Sequence, residues 1–113
     1  MRKIKTLKKN YEFRYVLSKG RFYKGNYITI YYTKNNKLYN EIGIAVNTHI
    51  ANAVKRNKIK RLIRENYRLI KDNIENGYNL VFLWNKNIDI KNATFINIKS
   101  DMINILEKIG IKK

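Results

Sequence analysis

The segment from Ala53 to Lys71 constrains the fold most, because its apolar and polar residues separate onto opposite sides of a helix. At about 100° per residue, one side collects five apolar positions. These are Ile59, Leu62, Ile63, Leu69 and Ile70. The other side collects Arg56, Asn57, Lys60, Arg61, Arg64, Arg68 and Lys71. With Asn52 as its N-cap, the segment predicts a long helix with one face on a core and the other free for a partner.

The charge of this helix indicates what that partner is. Its only acid is Glu65, against eight bases, whereas a solvated helix usually alternates acids and bases at i,i+4. The whole chain has 25 Lys and Arg against 8 Asp and Glu, a formal net charge of +17. Guanidinium groups bind phosphate through two parallel hydrogen bonds, and the Asn57 amide can bond a ribose hydroxyl or a base edge. The pattern favours a nucleic acid as partner.

The rest of the chain predicts an α/β fold in a single domain spanning residues 1–113. A basic, flexible lead-in from Lys3 to Lys9 precedes a helix that Asn10 caps and Gly20 ends. The apolar and aromatic runs predict three strands and a last helix. The strands are Tyr27–Thr33, Glu41–Val46 and Leu80–Trp84, the first two forming an antiparallel hairpin, and the helix is Thr94–Ile109. The order α-β-β-α-β-α predicts a two-layer sandwich with a central mixed sheet and a β-α-β crossover.

Several classes of protein are disfavoured. The chain has no Cys, so thiolate chemistry and Cys-based metal sites are excluded, and no apolar run approaches the ~20 residues of a membrane span. The single histidine, His49, has no partner at a catalytic spacing, and the acids are scattered. We therefore expect a cytoplasmic protein with no catalytic residue, no metal site of its own, no membrane contact and no small-molecule substrate.

The first predicted strand carries a second candidate binding surface. Alternation places Ile28, Ile30 and Tyr32 on the more apolar face, which is the expected core side. Tyr27, Thr29 and Tyr31 then share the other face. An aromatic, hydroxyl-bearing sheet face beside a basic helix suits the stacking of unpaired RNA bases, which tolerates any sequence.

The segment from Asn52 to Arg68 resembles the signature of a known family, the bacterial ribonuclease P protein component. Asn52 to Arg68, NAVKRNKIKRLIRENYR, is similar to the family pattern A-V-x-R-N-x-x-K-R-x-x-R. The strand IGIAV before it and the Leu7-Lys8 and Phe13 of an opening L-K-x-x-x-x-F pattern match too. Lys58, Ala51 and Asn79 stand where the family usually has Arg, Gly and Asp.

The resemblance implies a ribonucleoprotein in which a catalytic RNA, with Mg²⁺ held mainly by that RNA and its substrate, removes the 5′ leader of precursor tRNA. The protein is then a non-catalytic subunit of an endonuclease, a hydrolase of tRNA processing. Positions that match the family's contacts with the catalytic RNA are Arg56, Asn57, Lys58, Lys60, Arg61, Arg64 and Arg68. Positions that match its leader cleft are Phe13, Leu17 and Tyr31. The family's β-α-β crossover is left-handed, against the usual rule.

Two other functions remain open from the residues alone. A ribosomal or other structural RNA-binding protein would share the basic helix and need no leader cleft. A DNA-binding regulator is disfavoured, because no helix-turn-helix pair precedes the basic helix.

Overall fold

A computed structural model describes residues 4–113 of the chain and contains a four-stranded mixed sheet. The strands are β1 Arg21–Lys24, β2 Ile28–Lys34, β3 Glu41–Ala45 and β4 Tyr78–Trp84, and their spatial order is β1-β2-β4-β3. β4 pairs antiparallel with β2 and parallel with β3. Leu80, Val81 and Phe82 of β4 are all fully buried, as expected for a central strand with no alternation of polar residues.

Three helices cover the sheet. They are α1 Asn10–Lys19, α2 Ala53–Ile70 and α3 Phe95–Lys108, with single 3₁₀ turns at Lys71–Asn73 and Ile90–Asn92. α2 and α3 pack on each other and enclose the main core against the sheet. α1 lies on the opposite face, where Val16 is fully buried. The mixed α/β fold and the parallel β3-α2-β4 unit are confirmed, and the left-handed sense of that crossover stays a prediction.

The predicted antiparallel hairpin between the strands Tyr27–Thr33 and Glu41–Val46 is wrong. β2 and β3 do not pair, because β4 lies between them and hydrogen-bonds to both. β4 is the strand most able to be buried on both faces, so it takes the centre of the sheet and separates two strands that are neighbours in sequence. The loop Asn35–Asn40 therefore crosses over the end of β4 instead of forming a tight hairpin turn.

The region before β2 differs from the prediction in three respects. β1, which pairs antiparallel with β2, was not predicted, because its four residues RFYK are all exposed and carry no apolar face. Lys9, and not Asn10, occupies the N-cap of α1, and its N–H donates to Glu12 Oε1 at 3.3 Å. Of the lead-in, Lys3 lies outside the described residues. The rest is not free, since Thr6 bridges to Ile42 and Leu7 N–H donates to Ile42 O at 2.9 Å.

The buried face of α2 is rotated from the predicted one. Ile59 and Ile63 are buried as expected, but Leu69, predicted in the core, is 64% exposed. The buried stripe passes instead through Asn66 and Tyr67, whose ring packs against Phe82 with centroids 5.8 Å apart. A projection that counts only aliphatic residues leaves out the Tyr67 ring, and this omission moved the expected stripe toward Leu69.

Candidate nucleic-acid interface

The basic face of α2 is open to solvent and almost free of neutralising acids. Of the seven predicted RNA-binding residues, Asn57, Lys58, Arg61, Arg64 and Arg68 are exposed, and Arg56 and Lys60 are half-buried. Among these seven, Arg68 alone has a salt bridge within residues 4–113, at 3.1 Å from Glu65. The remaining bases repel one another with nothing to offset them, which favours the approach of a polyanion.

The start of α2 is fixed by its own sequence. Asn52 Oδ1 accepts from the N–H of Lys55 at 3.0 Å, so the predicted N-cap is confirmed. Arg56 Nη1 donates to the carbonyl oxygens of Ala51 at 2.5 Å and Thr48 at 3.2 Å. Arg56 thus ties the loop before α2 to the helix, a structural role that the sequence did not indicate.

A row of residues crosses the sheet on the face that α1 partly covers. Register places Phe22, Tyr31, Val81 and Gly43 side by side on β1, β2, β4 and β3. Phe13 of α1 lies directly over Gly43, where a Cβ would come within 2.6 Å of Phe13 Cε2. The predicted cleft residues Phe13 and Tyr31 therefore share one sheet face, but of the predicted set Tyr31 lines the open cleft and Phe13 and Leu17 do not. Leu17, one helical turn after Phe13, is half-buried on α1.

Beyond α1 this row opens into a cleft of about 630 Å³, lined by Phe22, Tyr31 and Leu83, with Lys24, Thr48 and Lys86 among its polar residues. The Phe22 ring stacks on Tyr31, with centroids 5.1 Å apart and planes at 30°. Phe22 was not among the predicted site residues, although it is 59% exposed. The local signal that could have pointed to it is a pair of aromatic residues flanked by basic ones in RFYK, next to a strand with an aromatic face.

Two members of the predicted aromatic face have other roles. Tyr27 turns to the main core and stacks on Trp84, with centroids 6.2 Å apart. Thr29 lines the cleft, but its hydroxyl donates to Asn85 Oδ1 at 2.6 Å. Of the three residues on that predicted face, Tyr31 remains with its ring available in the cleft.

The loop between β3 and α2 joins the two surfaces. Thr48 lines the cleft, and its carbonyl oxygen accepts from Arg56 at the start of the basic face. His49 lies in the same loop and is exposed. One side of the cleft therefore lies next to the first turn of α2.

Within residues 4–113, no three His, Asp or Glu side chains come together in a group that could hold a metal ion. In the same range, every helix is too short or too polar to cross a membrane.

The family model for ribonuclease P matches residues 1–110. The chain belongs to the ribonuclease P protein family. The ribonuclease P protein component of Clostridium kluyveri is 38% identical over 109 residues, which cover 95% of this chain and 96% of that protein. The component of Clostridioides difficile is 36% identical over 110 residues, covering 96% and 95%.

Solved structures of ribonuclease P proteins have the same fold. The protein from Staphylococcus aureus superposes with a TM-score of 0.84 at 28% identity, covering 98% of this chain and all of that one. The protein from Thermotoga maritima gives 0.82 at 25% identity, covering 92% and 96%. This chain is accordingly a ribonuclease P protein component that acts in tRNA processing, and the ribosomal and DNA-binding alternatives are set aside.

Proposed function

We propose that this chain binds the catalytic RNA of ribonuclease P through the basic face of α2 and holds the 5′ leader of precursor tRNA in the cleft. The observation that carries the proposal is the pairing of two different surfaces: a one-sided basic helix face and an aromatic-floored cleft, joined at Thr48. In this arrangement the protein positions the substrate on the RNA that cleaves it.

The basic face suits a folded RNA. Arg61, Arg64 and Arg68 project from successive turns of an 18-residue helix, so their guanidinium groups can follow a phosphate backbone. Asn57 is exposed among them and offers both a donor and an acceptor to a ribose hydroxyl. Such a face recognises the shape and the phosphate charge of an RNA and not its base sequence, as binding to a structured RNA requires.

The cleft suits a single strand of variable sequence. The Phe22 and Tyr31 rings offer a π-face to any base, and each base stacked on an aromatic ring contributes about 1–3 kcal/mol. Lys24 and Lys86 lie at the cleft and are exposed, so their ammonium groups can contact the phosphates that link stacked bases. Tolerance of sequence is what a leader that differs between precursors demands.

The chemistry in this proposal belongs to the RNA subunit, which together with the substrate holds Mg²⁺ at the scissile phosphodiester. The protein contributes positive charge that brings two polyanions together. This part predicts no cleavage of precursor tRNA by the purified protein in Mg²⁺. Cleavage by the protein alone, purified free of RNA, would overturn it.

Two single variants test the two surfaces separately. Arg64→Ala should weaken binding to ribonuclease P RNA and leave the preference of the assembled enzyme for leader-bearing over leaderless tRNA unchanged. Phe22→Ala should bind the RNA normally and lose about fivefold or more in affinity for leader-bearing substrate. The control is Tyr11→Ala, which removes an exposed ring outside the cleft. Equal effects of both variants on both steps would contradict the two-surface arrangement.

A further inference from the structure

A third basic site lies at the β1 edge of the sheet, where β1 and β2 contribute residues other than those that line the cleft. It is a hollow of about 510 Å³ where α1 ends, β1 begins and β2 ends. We call it the edge hollow and define it by Lys19, Arg21, Tyr32, Thr33, Lys34 and Tyr78, with Ile109 of α3 on one side. It shares no lining residue with the leader cleft.

The strand register explains why cations and hydroxyls meet there. Arg21 on β1 pairs with Tyr32 on β2, and Lys34 on β2 pairs with Tyr78 on β4. Tyr32 and Lys34 are two residues apart on one strand, so they share a face of the sheet. The two cross-strand pairs thus place a cation beside a tyrosine twice, on one face and at one end of the sheet.

The charge of the edge hollow has no internal balance. No Asp or Glu lines it, and the salt bridges within residues 4–113 involve none of its three cations. Lys19 has a structural reason to be there, because a cation in the last turn of α1 offsets the helix dipole. Arg21 and Lys34 are on strands and have no such reason. Cations that lie close together without an acid repel one another and destabilise the fold unless an anion binds between them.

We infer that the edge hollow binds a phosphate group of an RNA backbone, as a contact point additional to those of the proposed function. A guanidinium fork, an ammonium group and nearby hydroxyl donors match the several oxygens of one phosphate. The hollow lies at the β1 edge, whereas α2 packs near β3 at the other edge of the sheet. Because the molecule extends 36 × 28 × 27 Å, an RNA that reaches both places at once must span most of the protein.

The test compares two double variants that remove the same charge. Arg21→Ala/Lys34→Ala removes two of the three cations of the edge hollow, and the control Lys91→Ala/Lys99→Ala removes two exposed lysines that line neither the cleft nor the hollow. All four side chains are exposed, and circular dichroism checks that both variants keep the fold. In one arm, filter binding measures each variant against ribonuclease P RNA. In the other arm, the reconstituted holoenzyme binds precursor tRNA and mature tRNA.

The hollow variant should lose about tenfold in affinity relative to the control in one of the two arms, and its salt slope should fall by about one, as expected for the loss of one phosphate contact. A loss in the first arm places the phosphate in the catalytic RNA, and a loss in the second places it in the tRNA. If the hollow variant matches the control in both arms, the inference is overturned. The basic face of α2 is intact in both variants, so failure of the proposed function would be seen separately in Arg64→Ala.

Discussion

The carboxylate of Asp101 on α3 accepts a hydrogen bond from the backbone N–H of Ile28 at 2.8 Å, and this contact fixes the turn between β1 and β2. The same carboxylate accepts from the N–H groups of Asn26 at 3.0 Å and Tyr27 at 2.8 Å. Gly25 completes the fit, because a Cβ there would lie 2.5 Å from Asp101 Oδ2. A buried side chain on one helix thus holds the turn that positions Phe22 and Lys24 at the cleft.

Replacing this carboxylate should lower the stability of the fold. Asp101→Ala leaves three backbone donors without their acceptor, two of them from a half-buried and a buried residue, and should lower the free energy of unfolding by about 2–4 kcal/mol. Urea unfolding measures the loss. Asp89→Ala is the control, because Asp89 is exposed and accepts one N–H, from Lys91. A variant at Asp101 no less stable than the control would contradict this account of the turn.

A second prediction concerns the close approach of Phe13 to Gly43. In Gly43→Ala the new methyl group would overlap the Phe13 ring, so α1 or the ring must shift, at a cost of about 1–3 kcal/mol. Leader affinity should fall with it, while binding to ribonuclease P RNA should not. The double variant Gly43→Ala/Phe13→Leu relieves the overlap and should recover part of the stability. Additive losses in the double variant would show that the two residues do not conflict.

The features that the sequence predicted depend on residues close together along the chain, and the features it missed depend on residues far apart. The helices α2 and α3 and the strand β4 follow from local periodicity, and Asn52 from capping chemistry, so these were predicted. The pairing of β2 and β3 was wrong because it depends on β4, which is distant along the chain. The unbroken apolar run of β4 indicates a strand buried on both faces, but no local pattern predicts which strands will pair with it.

The binding residues divide in the same way. The basic face lies on consecutive turns of one helix and was predicted, apart from the loop contacts of Arg56 and from Lys71, which follows α2 in a 3₁₀ turn and has a side chain only 12% exposed. The cleft and the edge hollow are assembled from strands that meet only in the fold. Lys34 has no distinguishing local signal and Phe22 has only the flanking bases of RFYK, so their roles emerge from the register with Tyr78 and Tyr31.

Arg56 should differ from the exposed arginines of α2, because its guanidinium group holds the loop before the helix. Arg56→Ala removes donors to the Thr48 and Ala51 carbonyl oxygens and should lower the free energy of unfolding by about 1–2 kcal/mol. Arg61→Ala should change it by less than about 0.5 kcal/mol, since Arg61 is exposed. Arg56→Lys keeps the positive charge but lacks the planar guanidinium fork, so it separates the effect of losing the charge from the effect of losing the loop contacts. Full stability in Arg56→Ala would show that the loop does not depend on this contact.

Stability at high pH should depend on Tyr67. Burial raises the pKa of Tyr67 from 10.0 to about 12, so the folded state favours the neutral phenol. Its contribution to stability is complete below pH 10 and is lost as the pH rises from 10 through 12. At pH 11 the loss should be about 1.4 kcal/mol. Tyr67→Phe should remove this part of the pH dependence, whereas Tyr11→Phe, which removes an exposed hydroxyl, should retain it. Identical profiles for the two variants would contradict the assignment to Tyr67.

The response to salt tests the number of phosphates that the basic face contacts. About six contacts would make the logarithm of the affinity for ribonuclease P RNA fall against the logarithm of salt concentration with a slope of roughly −4 to −5. Arg61→Ala/Arg64→Ala should reduce the steepness by about 1.5, because each lost phosphate contact removes roughly 0.7 to 0.9 of slope. The control Lys91→Ala/Lys99→Ala removes as much net charge from positions outside the basic face. Since counterion release depends on contacts and not on net charge alone, the control should keep the steeper slope, and a flat response in the unmodified protein would exclude phosphate binding by α2 altogether.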